Sequence, residues 1–110
     1  MNLRITSRKF KAKDSTKEFI HAELAQLEKI TDEIMDVDVI LSFDNTKESA
    51  ESIKTAEIVV QIPGKVLTAT ESSDDFGKSV SAAVLKIEKQ LAKVKSKKID
   101  SKRVEKITTE

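Results

Sequence analysis

The apolar positions of this chain follow two spacings, and each spacing predicts one kind of element. Alternation of apolar and polar residues predicts four strands, at residues 2–7, 37–43, 54–62 and 65–71. Apolar residues spaced by three and four predict two helices, from about residue 14 to 31 and from about 74 to 95. The segment Ile62-Pro63-Gly64-Lys65 predicts a turn between the last two strands. The predicted order is therefore β-α-β-β-β-α.

The predicted strands have one apolar face each. The residues expected to point inward are Leu3, Ile5, Val37, Val39, Leu41, Phe43, Ala56, Ile58, Val60 and Ile62. Because such a sheet needs cover on one side only, both helices can pack on the same face. We predict an α+β fold, a two-layer α/β sandwich with a four-stranded sheet, as a single domain over residues 1–95. Residues 96–110 lose apolar periodicity and are predicted to form a disordered tail with a basic excess.

Local signals predict where the helices begin. Ser15 and Glu18 have the spacing of a capping box, and Asp14 is a second possible cap of the first helix. Ser72 or Ser73 is predicted to cap the last helix. Spacings of three and four in the first helix predict a buried stripe to about residue 31, marked by Phe19, Ile20, Leu24, Leu27, Ile30 and Ile34.

The last predicted helix separates apolar residues and lysines onto opposite sides. At about 100° per residue, its core side contains Phe76, Val80, Ala83, Val84, Ile87, Leu91 and Val94. The opposite side contains Lys86, Lys89, Lys93 and Lys97, with Glu88 as the one nearby acid. Cations near the C-terminus of a helix interact favourably with its dipole. This interaction does not explain a row of lysines that begins as early as Lys86. Ammonium groups about 5 to 6 Å apart match a phosphate backbone.

The net charge of +1 conceals an uneven distribution. Residues 1–17 carry six Lys or Arg against one acid (+5), residues 18–85 carry five against fourteen (−9), and residues 86–110 carry nine against four (+5). Two basic ends suggest a polyanionic partner. The N-terminal residues that can extend the lysine row are Arg4, Arg8, Lys9, Lys11 and Lys13. With 4% aromatic residues and no Trp or Tyr, structured RNA is favoured over single strands that need stacking platforms.

Several classes of protein do not fit the sequence. The absence of cysteine suits a reducing cytoplasm, and the chain has neither a membrane-spanning apolar run nor a signal peptide. His21 is the only histidine and is expected at the surface or the edge of the core. The acids Asp32, Glu33, Asp36 and Asp38 lack the spacing of a calcium loop and are expected to form a solvated rim. We expect no enzyme, no cofactor, no metal, no membrane partner and no small-molecule substrate.

Three segments together with the predicted element order carry a family resemblance. They are MNLRITSRKF, KEFIHAELAQLEKI and DDFGKSVSAAVLKIEKQLAKVKSKK. They resemble the ribosome hibernation-promoting factor family, also called the ribosome-associated inhibitor or sigma-factor modulation family, over residues 1 to about 98. The most specific segment is KIEKQLAKVK at residues 86–95, which follows the family pattern Lys-Leu-Glu-Arg-Gln-Leu-x-Lys-x-Lys.

The resemblance implies a function. Such proteins are cytoplasmic, bind the small ribosomal subunit near the decoding region, and block messenger and transfer RNA during starvation or stationary phase. The resemblance also implies that basic residues of the last helix contact ribosomal RNA. Together with the N-terminal candidates, the predicted RNA-binding residues are Lys86, Lys89, Lys93, Lys95, Lys97, Arg4, Arg8 and Lys9.

The sequence also departs from the family pattern. Family members usually have a Tyr shortly after the Asp that opens the last helix. Here Phe76 follows Asp75 and no Tyr is present, and we expect Phe76 to take the packing role. Glu23 and Gln26 make the first helix less basic than is usual. The length predicts a short form, without the second domain that pairs ribosomes, and a monomer when free. Two alternatives remain open: a protein-binding modulator of a sigma factor, and a general module for structured RNA.

Overall fold

The strands and helices follow one another in the predicted order in the computed structural model of this chain. The structure describes residues 1–8, 10–45 and 52–106, and within these the side chains of residues 1–8, 10–43 and 53–94. The elements are β1 (Asn2–Ser7), α1 (Asp14–Ala25), a short 3₁₀ helix (Gln26–Lys29), β2 (Asp36–Asn45), β3 (Ser52–Ile62), β4 (Lys65–Ser73) and α2 (Phe76–Lys106).

The four strands form one mixed sheet in the order β1-β2-β3-β4. Strand β1 pairs in parallel with β2, with Leu3 opposite Val37, whereas the β2–β3 and β3–β4 pairs are antiparallel. Parallel neighbours need a crossover connection, which here contains α1. Between β3 and β4, Gly64 adopts a φ of 76°, the left-handed conformation that glycine reaches without a steric penalty. The predicted turn is therefore confirmed.

Both helices cover the same face of the sheet, and the core lies between the two layers. Helix α2 packs against β3 and β4, and α1 packs against α2. The buried apolar residues from both layers form one cluster: Ala12, Ile20, Leu24, Leu27, Ile34, Val37, Val39, Leu41, Ala56, Ile58, Val60, Ile62, Leu67, Ala69, Val80, Ala83, Val84, Ile87 and Leu91. The predicted α+β two-layer sandwich is confirmed.

Helix α1 begins at the predicted residue, but its cap and its C-terminal end differ from the prediction. It begins at Asp14 after Lys13, and no side chain caps its first turn, so neither the Ser15 capping box nor the Asp14 cap forms. The α-helix ends at Ala25. Phe19 is 38% exposed rather than buried, because it lies about 100° around the helix from the buried Ile20.

Helix α2 begins later than predicted because β4 is longer. Ser73 is the last residue of β4 and pairs with Lys54 of β3, so the predicted serine cap is wrong. The cap is Asp75, whose carboxylate accepts the backbone N–H of Lys78 at 3.1 Å. Within the first turns of α2, Ser79 is buried and its hydroxyl donates to the Lys54 carbonyl at 2.7 Å. This bond ties the start of α2 to β3.

The far end of α2 reaches Lys106, so the helix is longer than the predicted 74 to 95. Side chains beyond Val94 lie outside the described residues. The division into a domain over residues 1–95 and a disordered tail over residues 96–110 stays a prediction. Strand β2 continues to Asn45, two residues beyond the predicted strand. Residues 46–51, between β2 and β3, lie outside the described part of the chain.

Candidate nucleic-acid interface

Helix α2 presents apolar residues to the core and charged residues to solvent. Val80, Ala83, Val84, Ile87 and Leu91 are each at most 2% exposed. At the two ends of this stripe, Phe76 and Val94 are partly buried and pack against the same core. The predicted core side of α2 is therefore confirmed. The lysines Lys86, Lys89 and Lys93 are all exposed, as their positions on the opposite side of the helix require.

Lys86 is not an unpaired cation on this surface. Its ammonium group forms an ion pair with the Glu71 carboxylate near the end of β4. The Lys86 side chain is 55% exposed and the Glu71 side chain 25% exposed. Glu88 was the one acid expected near the lysine row, so Glu71 is a partner that the sequence pattern did not predict. A phosphate that approaches Lys86 has to compete with a carboxylate of the same molecule.

Among the α2 side chains that the structure describes, Lys89 and Lys93 are the exposed cations that remain available. Within the part of the chain whose side chains are described, neither forms an ion pair. They are four residues apart and so lie on the same side of the helix. Between them, the Gln90 side-chain amide donates to the Thr68 carbonyl of β4 at 2.9 Å, which fixes the helix against the edge strand. We call Lys89 and Lys93 the lysine pair.

The remaining predicted lysines of α2 are Lys95 and Lys97. The side chains of Lys95 and Lys97 lie outside the described residues, although the helix backbone passes through both positions. Their contact with RNA stays a prediction.

Arg4, one of the basic residues near the N-terminus, does not lie on the same surface as the lysine pair. Arg4 lies on the sheet face opposite the helices, where its guanidinium is 3.8 Å from the Asp38 carboxylate of β2. Arg8 follows β1, is exposed, and donates its backbone N–H to the Leu41 carbonyl at 2.9 Å. Lys9 lies outside the described residues. The fold therefore gives Arg4 a different surface from α2, and RNA contact by Arg4, Arg8 and Lys9 stays a prediction.

Phe76 has the packing role that its position suggested. Its ring stacks on Phe10 with centroids 5.2 Å apart and planes 10° apart. Phe10 in turn meets Phe43, at 6.2 Å and 44°. These contacts join the start of α2 to the segment after β1 and to the end of β2.

The structure also locates the single histidine and two of the acids that the sequence raised as candidate ligands. His21 is exposed on α1. Of the acids once considered as metal ligands, Asp38 faces Arg4 and Asp36 accepts a hydrogen bond from the Asn2 amide at 3.1 Å. Among the residues described, no three His, Cys, Asp or Glu side chains are grouped as a metal site. In the same part of the chain, no helix is both long and apolar enough to cross a membrane.

The chain is similar to known proteins over nearly its whole length. The family model described as Sigma 54 modulation protein / S30EA ribosomal protein matches residues 3–99. No curated protein matches the chain. A solved structure of the Protein Y N-terminal domain from Thermus thermophilus is 24% identical, has a TM-score of 0.72, and covers 86% of this chain and 99% of its own. That likeness concerns the fold.

A second solved structure is a ribosomal subunit interface protein from Coxiella burnetii. It is 26% identical, also with a TM-score of 0.72, and the match covers 87% of this chain and 99% of the other. Since the family model spans well over half of the residues, the chain belongs to the Sigma 54 modulation protein / S30EA ribosomal protein family.

Proposed function

We propose that this protein binds the small ribosomal subunit near the decoding region and sterically blocks messenger and transfer RNA during stress or stationary phase. In this proposal the exposed side of α2 contacts the phosphates of ribosomal RNA. Lys89 and Lys93 are the principal contacts, and Lys95 and Lys97 extend them along the helix. The action is binding rather than catalysis, and it takes place in the cytoplasm, where ribosomes are found.

The observation that carries the proposal is the exposure of the lysine pair. Lys89 and Lys93 lie opposite the buried side of α2 and, within the described side chains, meet no carboxylate. Cations held on a rigid helix and left unpaired in the fold remain free to release counterions from a nucleic-acid backbone. Membership of a family named for an S30EA ribosomal protein supports the ribosome as the partner. The name of the Coxiella burnetii structure, a ribosomal subunit interface protein, supports it too.

Co-sedimentation with purified small ribosomal subunits tests the proposal. The double variant Lys89→Glu/Lys93→Glu is expected to keep its fold, because both side chains are exposed, and to lose at least about ten-fold in affinity at about 0.1 M salt. The single variants Lys89→Glu and Lys93→Glu are also measured, and Lys29→Glu is their control. Lys29 is exposed in the 3₁₀ helix, and the substitution changes the net charge equally. If the double variant still inhibits translation in vitro at the wild-type concentration, the lysine pair is not the surface that binds ribosomal RNA.

The alternatives predict other outcomes of the same experiment. A sigma-factor partner would remain bound after nuclease treatment and would co-purify without RNA. A general module for structured RNA would bind any long duplex as tightly as the small subunit. A ribosome-specific protein should instead prefer the small subunit, and its affinity should fall steeply as salt rises. We also propose that the free protein is a monomer, which sedimentation without ribosomes can measure.

A further inference from the structure

A cavity opens at the end of the domain where β1 ends and α2 begins. Its volume is about 410 Å³, within the range of about 300 to 1,000 Å³ that is usual for small-molecule sites. The residues that line it come from the segment after β1, the first turn of α1, the ends of β2 and β3, and the start of α2. They are Phe10, Lys11, Ala12, Lys13, Thr16, Phe43, Lys54, Asp75, Phe76 and Gly77.

The apolar wall of this cavity is aromatic. Of the four phenylalanines in the chain, three line it, namely Phe10, Phe43 and Phe76. Phe10 is central, stacked on Phe76 and tilted against Phe43. Phe43 is 40% exposed although its neighbours along the inner face of β2 are buried. The chain therefore leaves aromatic ring surface open to solvent at a concave site, where a flat aromatic ligand can stack.

The rim of the cavity is positively charged. Lys11 and Lys13 are exposed and, among the described side chains, form no ion pair. Lys54 places its ammonium group 5.9 Å from the centre of the Phe43 ring and donates to the Asp74 carbonyl at 3.2 Å. The one acid in the lining is Asp75, whose carboxylate already accepts the Lys78 N–H as the helix cap. Three lysines beside one engaged carboxylate favour an anionic ligand.

We propose that this cavity binds a single nucleotide. The base would stack against the phenylalanine rings while the phosphate is held by Lys11, Lys13 and Lys54. Aromatic surface and ammonium groups side by side match a ligand that is flat and apolar at one end and anionic at the other, and base–aromatic stacking tolerates any base. The volume holds one nucleotide rather than a strand. The site shares no residue with the lysine pair and does not depend on the proposed binding to ribosomes.

The fluorescent base 2-aminopurine tests this proposal directly. Because the chain has no Trp and no Tyr, the protein contributes no overlapping emission. Two probes are used: 2-aminopurine riboside 5′-monophosphate, and a short single-stranded RNA with one internal 2-aminopurine. Quenching of either probe on binding supports the site. Saturation by the monophosphate identifies a free nucleotide as the ligand, whereas binding of the RNA alone identifies an unpaired nucleotide of a strand.

Variants assign the binding to the cavity. Phe43→Leu keeps an apolar side chain but removes the ring, and should weaken binding by roughly five-fold or more. Lys13→Gln should weaken binding of both probes and, for the RNA probe, reduce the slope of log affinity against log salt by about 0.7. The matched controls are Phe19→Leu and Lys29→Gln, since both residues are exposed and neither lines the cavity. Both should bind the two probes like the wild type.

Three results would overturn the proposal. The first is that neither probe is quenched. The second is that Phe43→Leu binds as tightly as the wild type while circular dichroism shows an intact fold. The third is that inorganic phosphate, or an acidic peptide containing phenylalanine, binds more tightly than the monophosphate, because the cavity would then select a different class of ligand.

Discussion

The ion pair between Lys86 and Glu71 predicts that removal of the Glu71 carboxylate strengthens binding to ribosomal RNA. In the structure this carboxylate holds an ammonium group that the helix otherwise directs toward solvent. Glu71→Gln keeps the shape of the side chain and removes its charge. Since the Lys86 side chain is more than half exposed, losing the pair should change the free energy of unfolding by no more than about 1 kcal/mol. The fold should survive and Lys86 should be released.

The size of the effect follows from counterion release. Each additional phosphate contact steepens the dependence of log affinity on log salt by about 0.7 to 0.9. Between about 50 mM and about 200 mM salt, the affinity of Glu71→Gln should therefore fall about three-fold further than that of the wild type. At the lower salt concentration the variant should bind several-fold more tightly. Lys86→Gln should have little effect in the wild-type background and a clear effect in the Glu71→Gln background.

Binding of small subunits across a salt series measures both affinity and slope for the four members of this double-mutant cycle. Glu57→Gln is the matched control. It makes the same change in net charge, but Glu57 follows the buried Ala56 along β3 and so points to the sheet face away from α2. A wild-type slope in Glu71→Gln, combined with a reduced slope in Lys86→Gln, would refute the reasoning. It would mean that Lys86 already leaves Glu71 when RNA binds.

Three further predictions concern stability, measured by urea unfolding. Ile87→Asp should abolish the cooperative transition, because Ile87 is fully buried and an unpaired charge there costs a large part of a total stability of about 5 to 15 kcal/mol. Ser79→Ala should lower the free energy of unfolding by about 1 to 3 kcal/mol, since it deletes the bond to the Lys54 carbonyl. Gly64→Ala should cost about 1 to 2 kcal/mol, because no atom obstructs a methyl group there and the positive φ is the remaining penalty.

The first two of these predictions have a control, and all three have a contradicting result. Lys89→Asp should keep the cooperative transition, and a wild-type midpoint for Ile87→Asp would mean that α2 does not bury this side chain. Ser15→Ala should change stability little, because Ser15 is exposed and caps nothing. A loss in Ser15→Ala as large as that in Ser79→Ala would contradict both assignments. Full stability in Gly64→Ala would argue against the left-handed turn.

The sequence predicted the sheet well because alternation alone decides which residues of a strand share a face. Val37, Val39 and Leu41 are buried as expected. Phe43 follows the same alternation and is nevertheless 40% exposed. It lies near the end of β2, where it meets Phe10 and the cavity rather than the centre of the core. Alternation predicts the face of the sheet to which a side chain points. It does not predict where the helices that cover that face end.

The helix caps were predicted poorly because a local signal has to compete with strand pairing. Ser72 and Ser73 are good cap residues, yet both pair with β3 as part of β4. The helix therefore starts only after Asp75, and that carboxylate takes over the cap. Nothing in the sequence near Ser73 shows how far its partner strand extends.

The candidate sites depend on residues that are distant in sequence. Glu71 and Lys86 meet because α2 folds back along β4. Phe10, Phe43 and Phe76 belong to three different parts of the chain. The low aromatic content argued against a stacking site. However, the fold brings three of the four phenylalanines together at the cavity. A low count does not preclude a local concentration.

Helix α2 connects the aromatic cavity at its first residue with the lysine pair further along it. A helix rises about 1.5 Å per residue, so Phe76 and Lys93 are separated by about 25 Å along one stiff rod. For an RNA able to reach both, engagement at either end raises the effective concentration of the other end. The helix would then set a fixed distance between the two contacts. It would favour RNAs in which an unpaired nucleotide and backbone phosphates are separated by that distance.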